Sequence, residues 1–337
     1  MKLKYIYLWI AIYIFLYKST FKKKGSNKMK NTYKYLFGPV PSRRMGISLG
    51  VSPIPERTCS YSCVYCQLGR TKHMQSERKL FFPVQDILDE FIHYQKSLPK
   101  LDVVSIVGEG EPTLYSGLGE LITELKKVTT VPVAVITNGS LLTRPEVQEA
   151  LLHADIVLPS MDACNEKAFR QINRPHFSVK YEEVQKGLIE FSQTYGGQLW
   201  LEIMFVAGIN DNSASLDEFA AMLPKIKYDR VYINTPVRPP AEAFVKAPSK
   251  EFIHEAVTRL SAISIDMLSS GSFYSDVTDN YEAVKSICKR HPMNSFELEA
   301  FLTSRNVSDI DTYKNRIKND PLFDCIDYKG IITYRLK

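Results

Sequence analysis

Six short runs rich in Val, Ile and Leu recur between residues 47 and 234, and a helical pattern lies between each pair. The runs at 47–51, 103–107, 133–137, 156–160, 199–206 and 231–234 have strand length and are bounded by Gly, Pro, Asn or Ser. The stretches at 84–97, 118–127, 145–153, 181–195 and 216–223 carry apolar residues at helical spacing. In the first of them Ile87, Leu88, Phe91 and Ile92 fall on one face. Strands that alternate with helices build βαβ units around a parallel sheet. Six units fall short of the eight that close a barrel, so the pattern predicts an α/β protein with a partial, open-sided barrel.

The chain has 337 residues, which at about 150 per domain suggests two domains. Apolar residues at 45% and charged residues at 24% exclude disorder, coiled coil and collagen-like repeats as the main architecture. The barrel pattern is assigned to residues 29–245. A Pro- and Ala-rich loop at 236–250 and helical patterns at 250–263 and 280–290 follow, so 246–290 reads as a helical connection. Residues 291–337 change character: two short helices, 295–302 and 309–318, precede a hairpin through Tyr328-Lys329-Gly330. That order is winged-helix-like, and such modules often place their second helix in a nucleic-acid groove. Equal numbers of acidic and basic residues in this tail make a poor phosphate footprint, although Lys314, Arg316 and Lys318 can line one helix face.

The formal charge of +6 points to nucleic acid or membrane only until it is located. Lys2, Lys4, Lys18, Lys22, Lys23, Lys24, Lys28 and Lys30 lie in the first 30 residues with no carboxylate among them, so the rest of the chain is slightly acidic. The apolar run at 5–17 is shorter than the roughly 18 residues that a membrane span needs. Residues 1–28 admit three readings: a membrane-surface anchor through 5–17, an export signal, or an extension ahead of a start at Met29. The third is preferred here, and 1–28 are set apart from the fold.

Cys59, Cys63 and Cys66 are spaced C-x3-C-x2-C, after the first strand of the series. Three thiolates within eight residues can hold a metal or cluster on one loop. Electron-transfer clusters usually take four cysteines, and structural zinc takes four closed ligands. Three ligands leave a position open for a small molecule, which is a catalytic arrangement. A zinc site would need His73 as its fourth ligand. Cys164, Cys288 and Cys325 show no ligand spacing, and six cysteines are too few for a disulfide scaffold.

This triad, with aromatic Tyr65 before the last cysteine, resembles the cluster motif of the radical SAM superfamily. The resemblance covers roughly residues 35–240 and implies a partial (β/α)6 radical SAM barrel, here with a small C-terminal winged-helix-like domain. It implies a [4Fe–4S] cluster on Cys59, Cys63 and Cys66, with the amino and carboxylate groups of S-adenosylmethionine (SAM) on the fourth iron. One electron then cleaves the sulfonium to methionine and a 5′-deoxyadenosyl radical, which abstracts hydrogen from substrate; the cofactor carries the hard chemistry. Gly108-Glu109-Gly110-Glu111-Pro112 resembles the motif that receives the SAM amino group, the match resting on Gly110 and Glu111. Asn138, Ser160 and Asp162, at the ends of the third and fourth strands, resemble residues facing the SAM ribose and carboxylate. Tyr65 and Gln67 resemble adenine contacts, as does the turn 206–211, and Arg238 a carboxylate or substrate contact.

A closer resemblance is carried by Phe37-Gly38-Pro39-Val40-Pro41-Ser42-Arg43-Arg44, Cys66-Gln67-Leu68-Gly69-Arg70-Thr71 and Asn173-Arg174-Pro175. These are similar to a wyosine-synthase-like subgroup of Fe–S oxidoreductases, whose namesakes rebuild a tRNA base and carry a second cluster on further cysteines. Arg43, Arg44 and Arg70 are candidates for gripping an anionic substrate. The resemblance implies a radical SAM enzyme acting on a nucleoside or tRNA base. Alternatives are a peptide or protein maturase, a glycyl-radical activase, and a non-catalytic iron–sulfur winged-helix sensor. The implied partners are an external one-electron donor of flavodoxin or ferredoxin type and an RNA or peptide substrate. An open cluster needs reducing conditions and SAM is made in the cytosol, so the expected location is cytoplasmic; membrane association would require 5–17.

Overall fold

The computed structural model describes residues 33–98, 100–267, 273–328 and 330–337. The segment 1–28, with all three of its readings, lies outside the described residues. One eight-stranded sheet forms the body. In chain order its elements are β1 (Leu36–Ser42), β2 (Gly46–Val51), then a two-residue pair β3 (Thr58–Cys59) and β4 (His73–Met74) outside the sheet, and α1 (Val84–Tyr94). They continue with β5 (Val103–Ile106), α2 (Leu118–Val128), β6 (Val133–Thr137), α3 (Pro145–Leu151), β7 (Ile156–Pro159), α4 (Glu166–Ile172) and α5 (Tyr181–Thr194). The last are β8 (Gln198–Met204), α6 (Ser213–Met222), β9 (Arg230–Asn234), α7 (Lys250–Arg259) and β10 (Ile263–Ser264). The sheet order is β1-β2-β5-β6-β7-β8-β9-β10, parallel from β2 onward.

Period-two alternation along these strands sorts the two faces. Leu49, Val51, Val104, Ile106, Val133, Val135, Val157, Leu201 and Ile233 point outward into one core shared with the helices. Val103, Ala134, Ile156, Leu158, Trp200 and Tyr232 point inward and fill the bottom of the barrel. Further along the same strands the inward positions turn polar: Ser48, Ser105, Glu202 and Asn234 line a cavity. A parallel barrel places its site at this carboxyl end of the strands.

Two features differ from the sequence reading. Residues 36–42 form an antiparallel edge strand, with a bulge between Phe37 and Val40 that accommodates Gly38-Pro39. The region 246–290 is not one connection. Its first part, α7 and β10, completes the barrel, Ala256 and Leu260 joining the main core. Its last part, α8 (Asn280–Cys288), starts the C-terminal module, which continues through β11 (Met293–Asn294), α9 (Ser295–Ser304), α10 (Ile310–Lys318), β12 (Phe323–Tyr328) and β13 (Ile331–Leu336). Helix, strand, two helices and a hairpin, with sheet order β11-β13-β12, is the winged-helix sequence of elements. The module packs on the barrel through a core in which Phe37 and Val40 of β1 join Ala283, Val284, Ile287, Phe301 and Tyr334. No helix among the described residues is long and apolar enough to cross a membrane.

Candidate active site

The cysteine loop leaves β2 and folds over the mouth of the barrel, and the turn after β5 and the end of α4 fix it by its backbone. Glu111 N–H donates to the Thr58 carbonyl at 3.1 Å, Ser62 N–H to that of Asn173 at 3.0 Å, and Val64 N–H to that of Ile172 at 2.9 Å. Three donors are aimed at the sulfurs. Asn138 Nδ2 and Tyr61 N–H lie 3.6 and 3.5 Å from Cys59 Sγ, and Asn173 Nδ2 lies 3.5 Å from Cys63 Sγ. Burial pushes the Cys59 thiol up to about 12, with the Glu111 charge adding to it. Burial raises Cys63 and Cys66 as well, against hydrogen bonds from Asn173 to the former and from the Leu68 amide to the latter. Such thiols keep their protons unless a cation displaces them.

A cavity of about 400 Å³ opens beside this loop. Cys59, Tyr65, Cys66, Gln67, Gly110, Glu111, Asn138 and Ser160 line one part of it, bringing most of the sequence-predicted residues together. Two carboxylates are placed differently from the expectation. Glu111 lines the cavity but accepts four hydrogen bonds, from Thr113 N–H, Thr113 Oγ1, Thr137 Oγ1 and Asn138 N–H, at 2.6–2.9 Å. It braces the end of β5 against the end of β6. Asp162 does not line the cavity. It is buried behind it and accepts from Tyr65 Oη at 2.5 Å, Asn173 Nδ2 at 2.7 Å and Met204 N–H at 3.0 Å. Burial raises its pKa and these three donors lower it. Asp162 thus sets the position of Tyr65 and of the amide that points at Cys63.

A family model described as the radical SAM superfamily matches residues 54–234, which hold the cysteine loop and β5 to β9. The chain belongs to that superfamily. Among its relatives, a UPF0026 protein of Methanocaldococcus jannaschii is 34% identical over 314 residues, 88% of this chain and 94% of that one. A Brachyspira hyodysenteriae protein named GTPase Obg is 39% identical over 235 residues, 70% of this chain; the chain spans 34% of that relative's length. A radical SAM methyltransferase from Sphaerobacter thermophilus superposes with a TM-score of 0.49 at 16% identity, covering 65% of this chain and 67% of that one. The chain is therefore a radical SAM enzyme, of a superfamily whose members bind a [4Fe–4S] cluster and SAM.

The residues present fit such a cluster. Amide donors aimed at Cys59 and Cys63 suit thiolate sulfurs, and Gly110, where a Cβ would lie 1.7 Å from the Thr58 carbonyl oxygen, lets the turn after β5 pack directly on the strand that carries Cys59. Among the described residues, no three His, Cys, Asp or Glu side chains are arranged around a single metal ion. His73, the fourth ligand of the zinc alternative, is an exposed residue of β4.

The arginines singled out from sequence all find carboxylates. Arg70 makes a bidentate pair with Glu242, both bonds 2.8 Å, and Arg174 joins it at 2.5 Å. Arg43 meets Asp266 at 3.2 Å, Arg44 meets Glu202, and Arg238 meets Glu297 at 3.1 Å and the Pro292 carbonyl at 2.9 Å. On the winged-helix face, Lys314 pairs with Glu299 at 2.8 Å and Arg316 lies 3.9 Å over the Tyr281 ring. Sequence reasoning missed Glu202, although an acid at an inward position of an otherwise apolar strand was a signal for it. It also missed the sulfur-directed role of Asn173, and nothing local marks Arg290, which reaches the cavity from the module.

The Asp162 arrangement yields a stability prediction. Asp162→Ala strands three buried donors and should cost about 3 kcal/mol in urea unfolding of the apoprotein. A loss under about 1 kcal/mol would show that the carboxylate does not organise this wall.

Proposed function

We propose that this chain cleaves SAM reductively at a cluster on Cys59, Cys63 and Cys66, and that the group it attacks is uncharged, such as a nucleobase. The cavity carries this reading. Two of the cysteines, the strand-end polar residues and the module share one space. When bound, the cluster and SAM supply a 5′-deoxyadenosyl radical from one electron, delivered by an external donor of flavodoxin or ferredoxin type. Gly110 lets the turn after β5 close against Thr58, next to Cys59. Tyr65 and Gln67 form the wall beside the third cysteine. Arg43, Arg44, Arg238 and Arg290 all reach the cavity already paired, with Asp266, Glu202, Glu297 and Glu109. Such a chamber offers little to a phosphate, so an RNA would enter by its base while its backbone stays outside.

Anaerobic reconstitution should give a brown protein that releases 5′-deoxyadenosine and methionine from SAM under dithionite. Bulk tRNA should then raise the turnover, with binding that weakens as salt rises. No bound iron after reconstitution would sink the cluster assignment. Stimulation by peptides and not by tRNA would move the substrate to the maturase class.

A further inference from the structure

Glu109 stands between the two glycines of the strand-end turn, yet its carboxylate faces away from the barrel cavity. It meets Arg290 Nε at 3.1 Å and Lys289 Nζ at 3.2 Å. Both cations follow the last turn of α8, so this ion pair joins the module to the turn across 181 positions of sequence. Glu109 and Arg290 are each 4% exposed. Arg290 also donates to the Lys34 carbonyl at 2.6 Å, and its guanidinium lies 5.5 Å from the Phe37 ring. On the other side, Glu109 N–H donates to Ser52 Oγ at 3.3 Å. Gly108, at φ +147°, presses on Ser52, where a Cβ would come within 2.4 Å of the hydroxyl. The turn is therefore gripped from Ser52, just after β2, and from the module, while Gly108 and Gly110 line the cavity.

A buried pair of this kind is weak evidence for added stability, because desolvation offsets the attraction. Its value lies in fixing geometry, and the geometry it fixes is that of two cavity-lining glycines. We propose that Arg290 is a positioning residue for SAM. Through Glu109, the winged-helix-like module holds the Gly108–Gly110 turn in its binding conformation, so module seating and SAM affinity are coupled. This rests on the reading above, in which SAM lies against that turn. Coupling between two sites is reciprocal, so SAM must in turn tighten the junction.

The test uses the full chain, reconstituted anaerobically, with SAM binding measured by equilibrium dialysis. Arg290→Gln and Glu109→Gln should each raise the SAM Kd about tenfold at unchanged iron content. The double variant should be little worse than either single one, because both remove the same contact. Arg290→Lys should recover part of the affinity. Hydrogen exchange on the wild type gives a second readout that needs no variant: SAM should slow exchange at residues 289–294. A Kd within twofold of wild type in both single variants, or exchange at 289–294 indifferent to SAM, overturns the coupling. A wild type that binds no SAM overturns the functional reading beneath it.

Discussion

Cys63→Ala should bring SAM cleavage to background and strip most of the iron from reconstituted protein, while leaving the apoprotein folded. The asymmetry follows from the surroundings of Cys63. Cys63 is a half-buried residue that packs beside the cluster of Tyr61, Phe169 and Tyr181, so truncation removes one atom from a wall that the aromatic rings still support. That loss should be about 1 kcal/mol in the apoprotein. The chelate has no such reserve. With three protein thiolates, losing one leaves a cluster held at two corners. The amide nitrogen of Asn173, placed for the Cys63 sulfur at 3.5 Å, cannot replace it as a ligand, because its lone pair is delocalised into the carbonyl. Iron content, the visible charge-transfer band and 5′-deoxyadenosine release should fall together. Cys164→Ala, a change to a cysteine outside the triad, should leave all three intact. Normal SAM cleavage by the Cys63 variant would end the assignment.

The parallel sheet was legible because its strands are buried on both faces and therefore read as apolar runs, and because helices at regular intervals leave only right-handed crossovers. The cysteine triad was legible because its chemistry is local. What escaped was of two kinds. Local signals were missing where an edge position tolerates what an interior one does not: no strand was read across Gly38-Pro39, yet β1 takes both at a bulge. The seven residues of α4 are too few to show a period, and the helix is fixed by its cap, Asn165 accepting from Ala168 N–H. The second kind is non-local. Sequence marks Glu111 and Asp162 as acids at strand ends but cannot say that protein donors fill their oxygens. It marks Arg43, Arg44 and Arg70 as cations near a site but not that each has a carboxylate waiting. Pairings such as Glu109 with Arg290 are decided by how the module seats on β1, which no periodicity encodes.

Gly110→Ala should be the most damaging single methyl group in the barrel. Its backbone lies outside the left-handed region, so the cost is one of space alone. An added Cβ meets the Thr58 carbonyl oxygen at 1.7 Å, its carbon at 2.7 Å and Ile54 Cγ2 at 2.7 Å. The first two are backbone atoms and cannot swing aside as the end of a side chain would. If the turn retreats, the 3.1 Å bond from Glu111 N–H to Thr58 is lost, and the carboxylate of Glu111 is dragged from its four donors on β6 and the Pro112–Leu114 turn. If β3 retreats instead, Cys59 moves with it, since it follows Thr58 directly and pairs with Met74. Either path should cost about 3 kcal/mol or slightly more, the upper range for overpacking, and lower iron retention as well as stability. Gly196→Ala supplies the comparison: nothing lies within 4 Å of its Cβ position, and the same added methyl should be neutral or mildly stabilising. Urea unfolding of the two apoproteins, followed by iron analysis after reconstitution, separates the cases. Should Gly110→Ala match Gly196→Ala in both, the cysteine loop is not held by this contact, and its position must be set by the bonds from Ser62 and Val64 to the end of α4.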